Sequence, residues 1–246
     1  MLKKILLLSA AVSATYITYA QESATVPTGF KYRNNFDLNI SGGNNQFATN
    51  LAWTHFGILK KHKFKIGYGA RFNSTFGSEK KFITAPARIS TGRTGPLSFF
   101  SKPKKDQLDT LVLGNPQVNS LNLTINFQYS FSPRFDVGFT IDAIGFSFGN
   151  EQTGAFNSAE APPQISRVQH ATVTPFNVLL IGDNDIGTLN SELYLRYYPW
   201  KSLGISAGAG NLFVEYTTDD KLTFDNDRFR SKTIMFSLGL TYSPLK

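Results

Sequence analysis

Apolar and polar residues alternate along much of this chain, and the clearest alternation lies in residues 117–148. Its first half places an apolar residue at every second position, at Leu121, Leu123, Ile125, Phe127 and Tyr129. After a turn at 132–133 the alternation resumes and continues to the end of this stretch. A period of two indicates a β-strand with one apolar and one polar face. Each half is at least as long as the roughly 9–11 residues that a tilted strand needs to cross a bilayer, so the pattern predicts a membrane-crossing hairpin.

The same alternation recurs and predicts eight strands in all. They lie at about 33–42, 47–57, 63–74, 118–131, 134–147, 188–199, 202–216 and 231–243. The connections after the first one at 42–46 are short at 60–62, 132–133 and 200–201, and long at 75–117, 148–187 and 217–230. Short periplasmic turns and long external loops are typical of bacterial barrels. We predict an all-β fold: a single antiparallel up-and-down transmembrane β-barrel of eight strands, or ten if a long loop contributes a hairpin.

The composition of the polar face separates a membrane barrel from a soluble one. A soluble barrel exposes a face rich in Lys and Glu, whereas this polar face is mostly Asn, Thr, Ser, Gln and Gly. Aromatic residues also gather near both ends of the predicted strands, as in the interfacial girdles of membrane barrels. The apolar face is therefore expected to contact lipid.

The first twenty residues predict export. Lys3 and Lys4 precede an apolar stretch and a small-residue cleavage pattern at 18–20, which indicates a signal peptide over 1–20. We expect a short periplasmic segment at 21–30 and the barrel over 31–246, in the bacterial outer membrane after cleavage. The chain has no cysteine. Its net charge of +8 favours an anionic surface nearby. Nucleic acid is not an expected partner of an exported chain.

Two segments carry a resemblance to known barrels. Ser237, Gly239 and Tyr242 resemble the polar-x-Gly-x-x-aromatic signal by which the assembly machinery recognises outer-membrane barrels, although this chain continues beyond the aromatic residue. Residues 180–198 are similar to outer-membrane barrel proteins of Bacteroidota, and the overall pattern resembles the OmpA/OmpX-type eight-stranded barrels. The resemblance implies the fold, the outer-membrane location and contact with the barrel-assembly machinery. It implies no activity.

Ionisable residues are also predicted on the inward face, where they would form a lumen ionic cluster. Its members are Asp37, Lys65, Arg71, Asp136, Asp142, Glu192 and Arg196. Counted from the periplasmic turns, Lys65, Asp136 and Arg196 lie low, and the other four lie near mid-depth. The interior of an eight-stranded barrel is only wide enough for side chains, so ion pairs are expected to fill it. A narrow pore or small-solute transport protein is the alternative function.

The chain offers little for catalysis. A lipid-modifying enzyme, the second alternative, needs a base beside a nucleophile or an activated water. The histidines are His55, His62 and His170, at a strand end, a turn and a loop. We therefore expect no enzyme, no catalytic residue, no cofactor and no metal site.

The long loop at 75–117 is basic and predicted to face outward. Its cations are expected to contact anionic glycolipid such as lipopolysaccharide. They are Lys80, Lys81, Arg88, Arg93, Lys102, Lys104 and Lys105. The sequence thus favours a monomeric barrel with a structural or surface-binding role, whose partners are outer-membrane lipids and lipopolysaccharide.

Overall fold

The computed structural model describes residues 30–59, 63–90, 108–158, 165–180 and 184–244, and all thirteen strands within them join one antiparallel sheet. The predicted signal peptide and His62 lie outside the described residues. The strands are β1 (Phe30–Gly43), β2 (Gln46–Leu59), β3 (Phe64–Gly77), β4 (Lys80–Thr84), β5 (Thr110–Leu113), β6 (Gln117–Ser132), β7 (Phe135–Phe148), β8 (Gln152–Asn157), β9 (Val168–Val173), β10 (Phe176–Val178), β11 (Leu189–Tyr197), β12 (Leu203–Thr218) and β13 (Arg228–Tyr242).

Helix is confined, in the described part of the chain, to α1 (Ala87–Ser90) and a 3-10 turn (Thr223–Asp225). No helix there is long and apolar enough to cross a membrane.

The long strands pair in succession and return to their start. β1 pairs with β2, β2 with β3, β3 with β6, and β6 with β7. β7 then pairs with β11, β11 with β12, β12 with β13, and β13 with β1. The prediction of eight strands is wrong for the sheet as a whole, because five further short strands lie in the segments predicted to be loops.

Four of those short strands extend the wall at one end. β3 leads into β4 through a bend at Ser78 and Glu79, where Glu79 has a φ of 45°. β5 leads into β6, and β7 leads into β8. These short strands pair in the order β4, β5, β8, β9. At the two ends of this row, β4 pairs with the end of β13 and β9 pairs with the end of β12. We call β4, β5, β8, β9 and residues 212–218 and 228–231 the cap.

β10 completes the wall below the cap. It pairs with the end of β7 from Ile144 to Phe146, beyond the part of β7 that pairs with β11. The predicted long loops at 75–117 and 148–187 therefore contain five short strands in their described parts. Their strands have three to six residues, too few for the length expected of a membrane-crossing strand.

Polar side chains line the inside of the barrel below the cap, and apolar side chains cover its outside. On β13, the outward residues Ile234, Phe236, Leu238 and Leu240 are each more than 60% exposed. Their inward neighbours Ser237 and Thr241 are buried. The other long strands alternate in the same way, so this part of the molecule is inverted relative to a soluble protein.

The cap has the opposite polarity. On β12 the inward positions change from Gly208 and Gly210 to Leu212, Val214 and Tyr216, which are almost fully buried. They belong to an apolar core inside the cap, which also contains Phe82, Leu111, Leu113, Phe156, Ala171, Val173, Leu222 and Phe229. The outside of the cap is mostly polar, with Lys81, Thr153, Asn157, His170 and Thr172 exposed. The cap is thus built like a water-soluble β-protein, and the barrel below it is not.

Candidate functional site

The inside of the barrel collects most of the buried charge in the described residues. All seven residues of the predicted lumen ionic cluster are buried there, and all seven take part in ion pairs. Their strands alternate, so each charged residue is directed inward. Six of the seven sit between two apolar residues, and Glu192 sits between Ser191 and Leu193. The seven residues form two groups at different depths.

The central group is built around Arg71 of β3. Its Nη2 donates to Asp142 Oδ1 at 2.6 Å and to the carbonyl oxygen of Asn190 at 2.6 Å, and its Nη1 lies 3.7 Å from Glu192 Oε2. The other oxygen of Asp142 accepts from the Asn122 side chain at 2.9 Å and from the Asn190 N–H at 2.8 Å. Ser237 donates to Glu192. Both carboxylates therefore have a cation and further hydrogen-bond donors.

The lower group joins two ion pairs through Gln128. Arg196 Nη2 lies 2.7 Å from Asp37 Oδ1, and Lys65 Nζ lies 3.4 Å from Asp136 Oδ2. Gln128 donates to Asp136 at 2.5 Å and accepts from Arg196 at 3.2 Å. We expected Asp37 near mid-depth, but it pairs with Arg196 in the lower group. Strand tilt and stagger make a count of residues from the turn an unreliable measure of depth.

Charge within the lumen is close to balanced. The predicted cluster contains three cations (Lys65, Arg71 and Arg196) and four carboxylates (Asp37, Asp136, Asp142 and Glu192). Sequence reasoning missed Arg33, an inward residue whose guanidinium lies 4.8 Å from the Tyr198 ring and which brings the count to four against four. The side chains of the two groups are each at most 10% exposed, so they pack closely against one another.

A third ionic group, on the outside of the wall at the base of the cap, was not predicted. Glu215 of β12 is fully buried and lies 2.7 Å from both Arg228 and Arg230 of β13. Both arginines also donate to the carbonyl oxygen of Asp185, in the segment before β11. Glu215 and Arg230 lie directly opposite each other on β12 and β13. Knowledge of the register between these two strands would therefore have predicted this ion pair.

Comparison with known proteins yields only remote similarities in structure. No protein-family model and no curated protein matches the chain. Neisserial surface protein A is 6% identical over 87% of this chain and 97% of its own, with a TM-score of 0.36. Ail, the attachment invasion locus protein of Yersinia pestis, is 12% identical over 88% and 99%, with a TM-score of 0.34. A major outer membrane protein from Thermus thermophilus is 11% identical over 87% and 99%, with a TM-score of 0.37.

Neither of the two described histidines belongs to a catalytic triad formed by described residues. His55 Nδ1 lies 2.8 Å from the side chain of Asn34, and its ring is stacked on Tyr32 at 5.1 Å. On the cap, His170 Nδ1 lies 2.8 Å from Glu151 and 3.4 Å from Thr153 Oγ1. A triad needs the acid and the nucleophile on different ring nitrogens, whereas here both are at Nδ1. No group of three metal-ligating side chains occurs within the described ranges.

The basic residues predicted to contact glycolipid divide into three sets. Lys80 is buried, and its Nζ donates to the carbonyl oxygen of Asn44 at 2.6 Å, so it is not available for glycolipid as predicted. Burial lowers the pKa of Lys80. Lys81 is exposed on the cap, and Arg88 is exposed on α1, which follows β4. The remaining predicted contacts, Arg93, Lys102, Lys104 and Lys105, lie outside the described residues.

Proposed function

We propose that this protein is an outer-membrane β-barrel whose eight long strands form the transmembrane wall and whose cap stands outside the cell. Its role is structural or surface-binding, and its lumen is closed by ion-paired side chains. The observation that carries the proposal is the reversal of polarity between barrel and cap. Only a wall in lipid places apolar residues outside and buried charge inside, and only a cap in water reverses that arrangement.

The height of the apolar surface supports this placement. On β6 the exposed apolar residues run from Leu121 to Phe131. Ten steps of about 3.3 Å along a strand tilted by about 40° give a band roughly 25 Å tall, the height of the lipid-facing band of outer-membrane barrels. Residues 1–20 supply the expected export signal, and the resemblance to small barrels of Bacteroidota belongs to the same proposal.

A surface-binding role follows from the closed interior. Both lumen groups and the apolar core of the cap lie along the barrel axis, so a solute would have to pass three packed layers. The accessible part of the protein is then the outside of the cap and α1, where Lys81 and Arg88 respectively are exposed. We propose lipopolysaccharide as the anionic partner of these residues, and a monomer as the working state.

Cysteine labelling tests the placement directly, because the chain contains no cysteine of its own. Thr153→Cys places a thiol on the outside of the cap, and Arg134→Cys places one in the turn between β6 and β7. A membrane-impermeant maleimide should label the first variant in intact cells and the second only after the outer membrane is permeabilised. Labelling of Arg134→Cys in intact cells would reverse the orientation.

Conductance tests the closed lumen. The refolded protein should migrate as a heat-modifiable band in gels, as a barrel does, and give no steady channel openings in a planar bilayer. Steady openings that disappear when Arg71 or Glu192 is changed would instead establish a pore.

A further inference from the structure

We propose a binding site for one anionic phospholipid on the outer wall of the barrel, at the end opposite the cap. The acyl chain would lie in an apolar groove that crosses β12, β13, β1, β2 and β3, with the phosphate beside Lys201 in the turn between β11 and β12. The site deepens the proposed function and rests on it, because only a wall that stands in lipid meets an acyl chain. It faces the periplasmic leaflet, whereas the proposed lipopolysaccharide contacts lie at the other end.

The groove lies between two neighbouring rows of outward side chains. Each row consists of residues that lie directly opposite one another on successive strands. The lower row is Leu203, Tyr242, Phe36, Trp53 and Ala70, and the upper row runs in the same way from Ile205 to Phe72. The groove has a volume of about 660 Å³, within the roughly 300–1,000 Å³ typical of ligand pockets.

The groove rises from the periplasmic end of the wall toward its middle. Leu203 is the first residue of β12, whereas Ala70 is the seventh residue of β3. Because the strands of a barrel tilt, a row of opposite residues climbs from one strand to the next. The groove therefore leads from the level of the headgroups into the hydrocarbon region, which is the path of an acyl chain in the periplasmic leaflet.

The lower end of the groove suits a phosphate. Trp200 lines this end and is 67% exposed, as expected of a tryptophan at a membrane interface. Lys201 follows it and is exposed, and no carboxylate among the described residues pairs with Lys201. The indole N–H and the ammonium group are both hydrogen-bond donors, and the ammonium adds a charge-assisted bond to a phosphate oxygen.

Charge at this end of the barrel favours an anionic lipid over a second copy of the chain. Asp37 and Asp136 are the described carboxylates there, and each is buried and paired with a lumen cation. An anionic headgroup at Lys201 therefore meets no exposed carboxylate from the described residues. Two copies docked groove to groove would instead bring their Lys201 side chains to the same level of the membrane, where like charges repel.

Lipid titration followed by native mass spectrometry tests the site on the full chain, refolded and checked for heat-modifiable migration. The probes are phosphatidylglycerol and phosphatidylcholine, which differ in the net charge of the headgroup. We expect Lys201→Gln to weaken the first phosphatidylglycerol bound by about fivefold, the contribution of one lysine near an anionic surface. Lys201→Arg should retain the affinity, and phosphatidylcholine should bind all three proteins alike.

A second variant tests the groove itself. Ala70→Phe fills the upper end of the groove and should weaken both lipids, by about fourfold for each methylene group that it displaces from the wall. Because Ala70 faces lipid, the larger side chain needs no space inside the barrel.

Each variant has a matched control. Lys63→Gln removes an exposed cation at the same end of the barrel, just before β3, which lies four strands away from β12 around the ring. Ala209→Phe makes the same enlargement on the outer face of β12, outside the groove. Both controls should bind the two lipids as the unchanged protein does.

Equal phosphatidylglycerol affinity in Lys201→Gln and the unchanged protein would overturn the site, as would an equal loss in Lys63→Gln. An equal loss in Ala70→Phe and Ala209→Phe would show that the acyl chain does not use the groove, which also overturns the site. A dimer that dissociates in Ala70→Phe, without bound lipid, would assign the groove to a second copy instead. If the protein did not migrate as a barrel at all, the proposed function would fail rather than this site.

Discussion

Arg71 and Glu215 show how single charged residues are accommodated in this protein. Each is buried, and each is held by two partners of opposite charge: Arg71 by Asp142 and Glu192, and Glu215 by Arg228 and Arg230. Burying an ion costs several kcal/mol unless it is paired and hydrogen-bonded, so each such residue depends on its neighbours. Their substitution should therefore cost more than that of any exposed charge.

Replacing Arg71 should destabilise the barrel strongly. Arg71→Met leaves Asp142 buried without its cation, which typically costs about 3–5 kcal/mol in free energy of unfolding. Urea unfolding of the refolded protein in lipid vesicles measures this loss. The exposed turn residue Arg134 provides the control, since Arg134→Met should change stability by less than about 0.5 kcal/mol. Adding Asp142→Asn to Arg71→Met should restore part of the loss; no recovery would mean that the uncompensated charge is not the cause.

Tyr216 should make the cap sensitive to alkali. Its hydroxyl is buried, donating to the Gln117 carbonyl oxygen at 3.3 Å, and burial raises its pKa above the ordinary value near 10. Above pH 10 the unfolded chain releases this proton more readily than the folded one, so stability falls as the pH rises. Tyr216→Phe should lose less stability than the unchanged protein between pH 10 and 11, as measured by urea unfolding. Tyr242→Phe, at an exposed site, should follow the unchanged protein.

The cap strands show why short segments escaped prediction. β4, β5, β8 and β9 have four to six residues each, and the alternation in them is too brief to separate from that of a loop. Their stability comes from closing on β12 and β13 around a shared apolar core. The cap is therefore an element with its own core, supported by strands that also belong to the barrel.

Opening the cap core should leave the barrel below it intact. Phe82 is fully buried, with its ring 5.3 Å from that of Tyr216. Phe82→Ala should cost the cap about 3–5 kcal/mol and expose it to proteases, while heat-modifiable migration persists. Val168→Ala, on the exposed face of β9, is the control and should change neither property. Simultaneous loss of cap and barrel would show that they unfold as one unit.

For the molecule as a whole, the structure predicts closure in series. The lower lumen group, the central lumen group and the cap core follow one another along the barrel. Arg71→Ala should therefore remain non-conducting in a planar bilayer, because the lower group and the cap still close the passage. Arg71→Ala combined with Arg196→Ala and Phe82→Ala removes a large side chain from each layer and should show openings. Steady openings in Arg71→Ala alone would contradict closure in series.

The local pattern of residues was enough to predict the long strands and the direction of their side chains. A period of two is a property of neighbouring residues, so it assigned Leu123 to the outside and Asn122 to the inside without knowledge of the partner strands. It also placed all seven predicted lumen charges on the inward face. The partners of those charges were not predictable in the same way.

Pairing across the barrel depends on tilt, stagger and register, which no local pattern contains. Asp37 and Arg196 form an ion pair although 159 positions separate them in the sequence. Glu215 and Arg230 are brought together by the register of β12 and β13. The cap closes only when β4 pairs with β13 and β9 pairs with β12. Alternation decides which face a residue occupies. Its depth, its partner and the existence of the cap are set by contacts between distant segments, and these form only when the sheet closes.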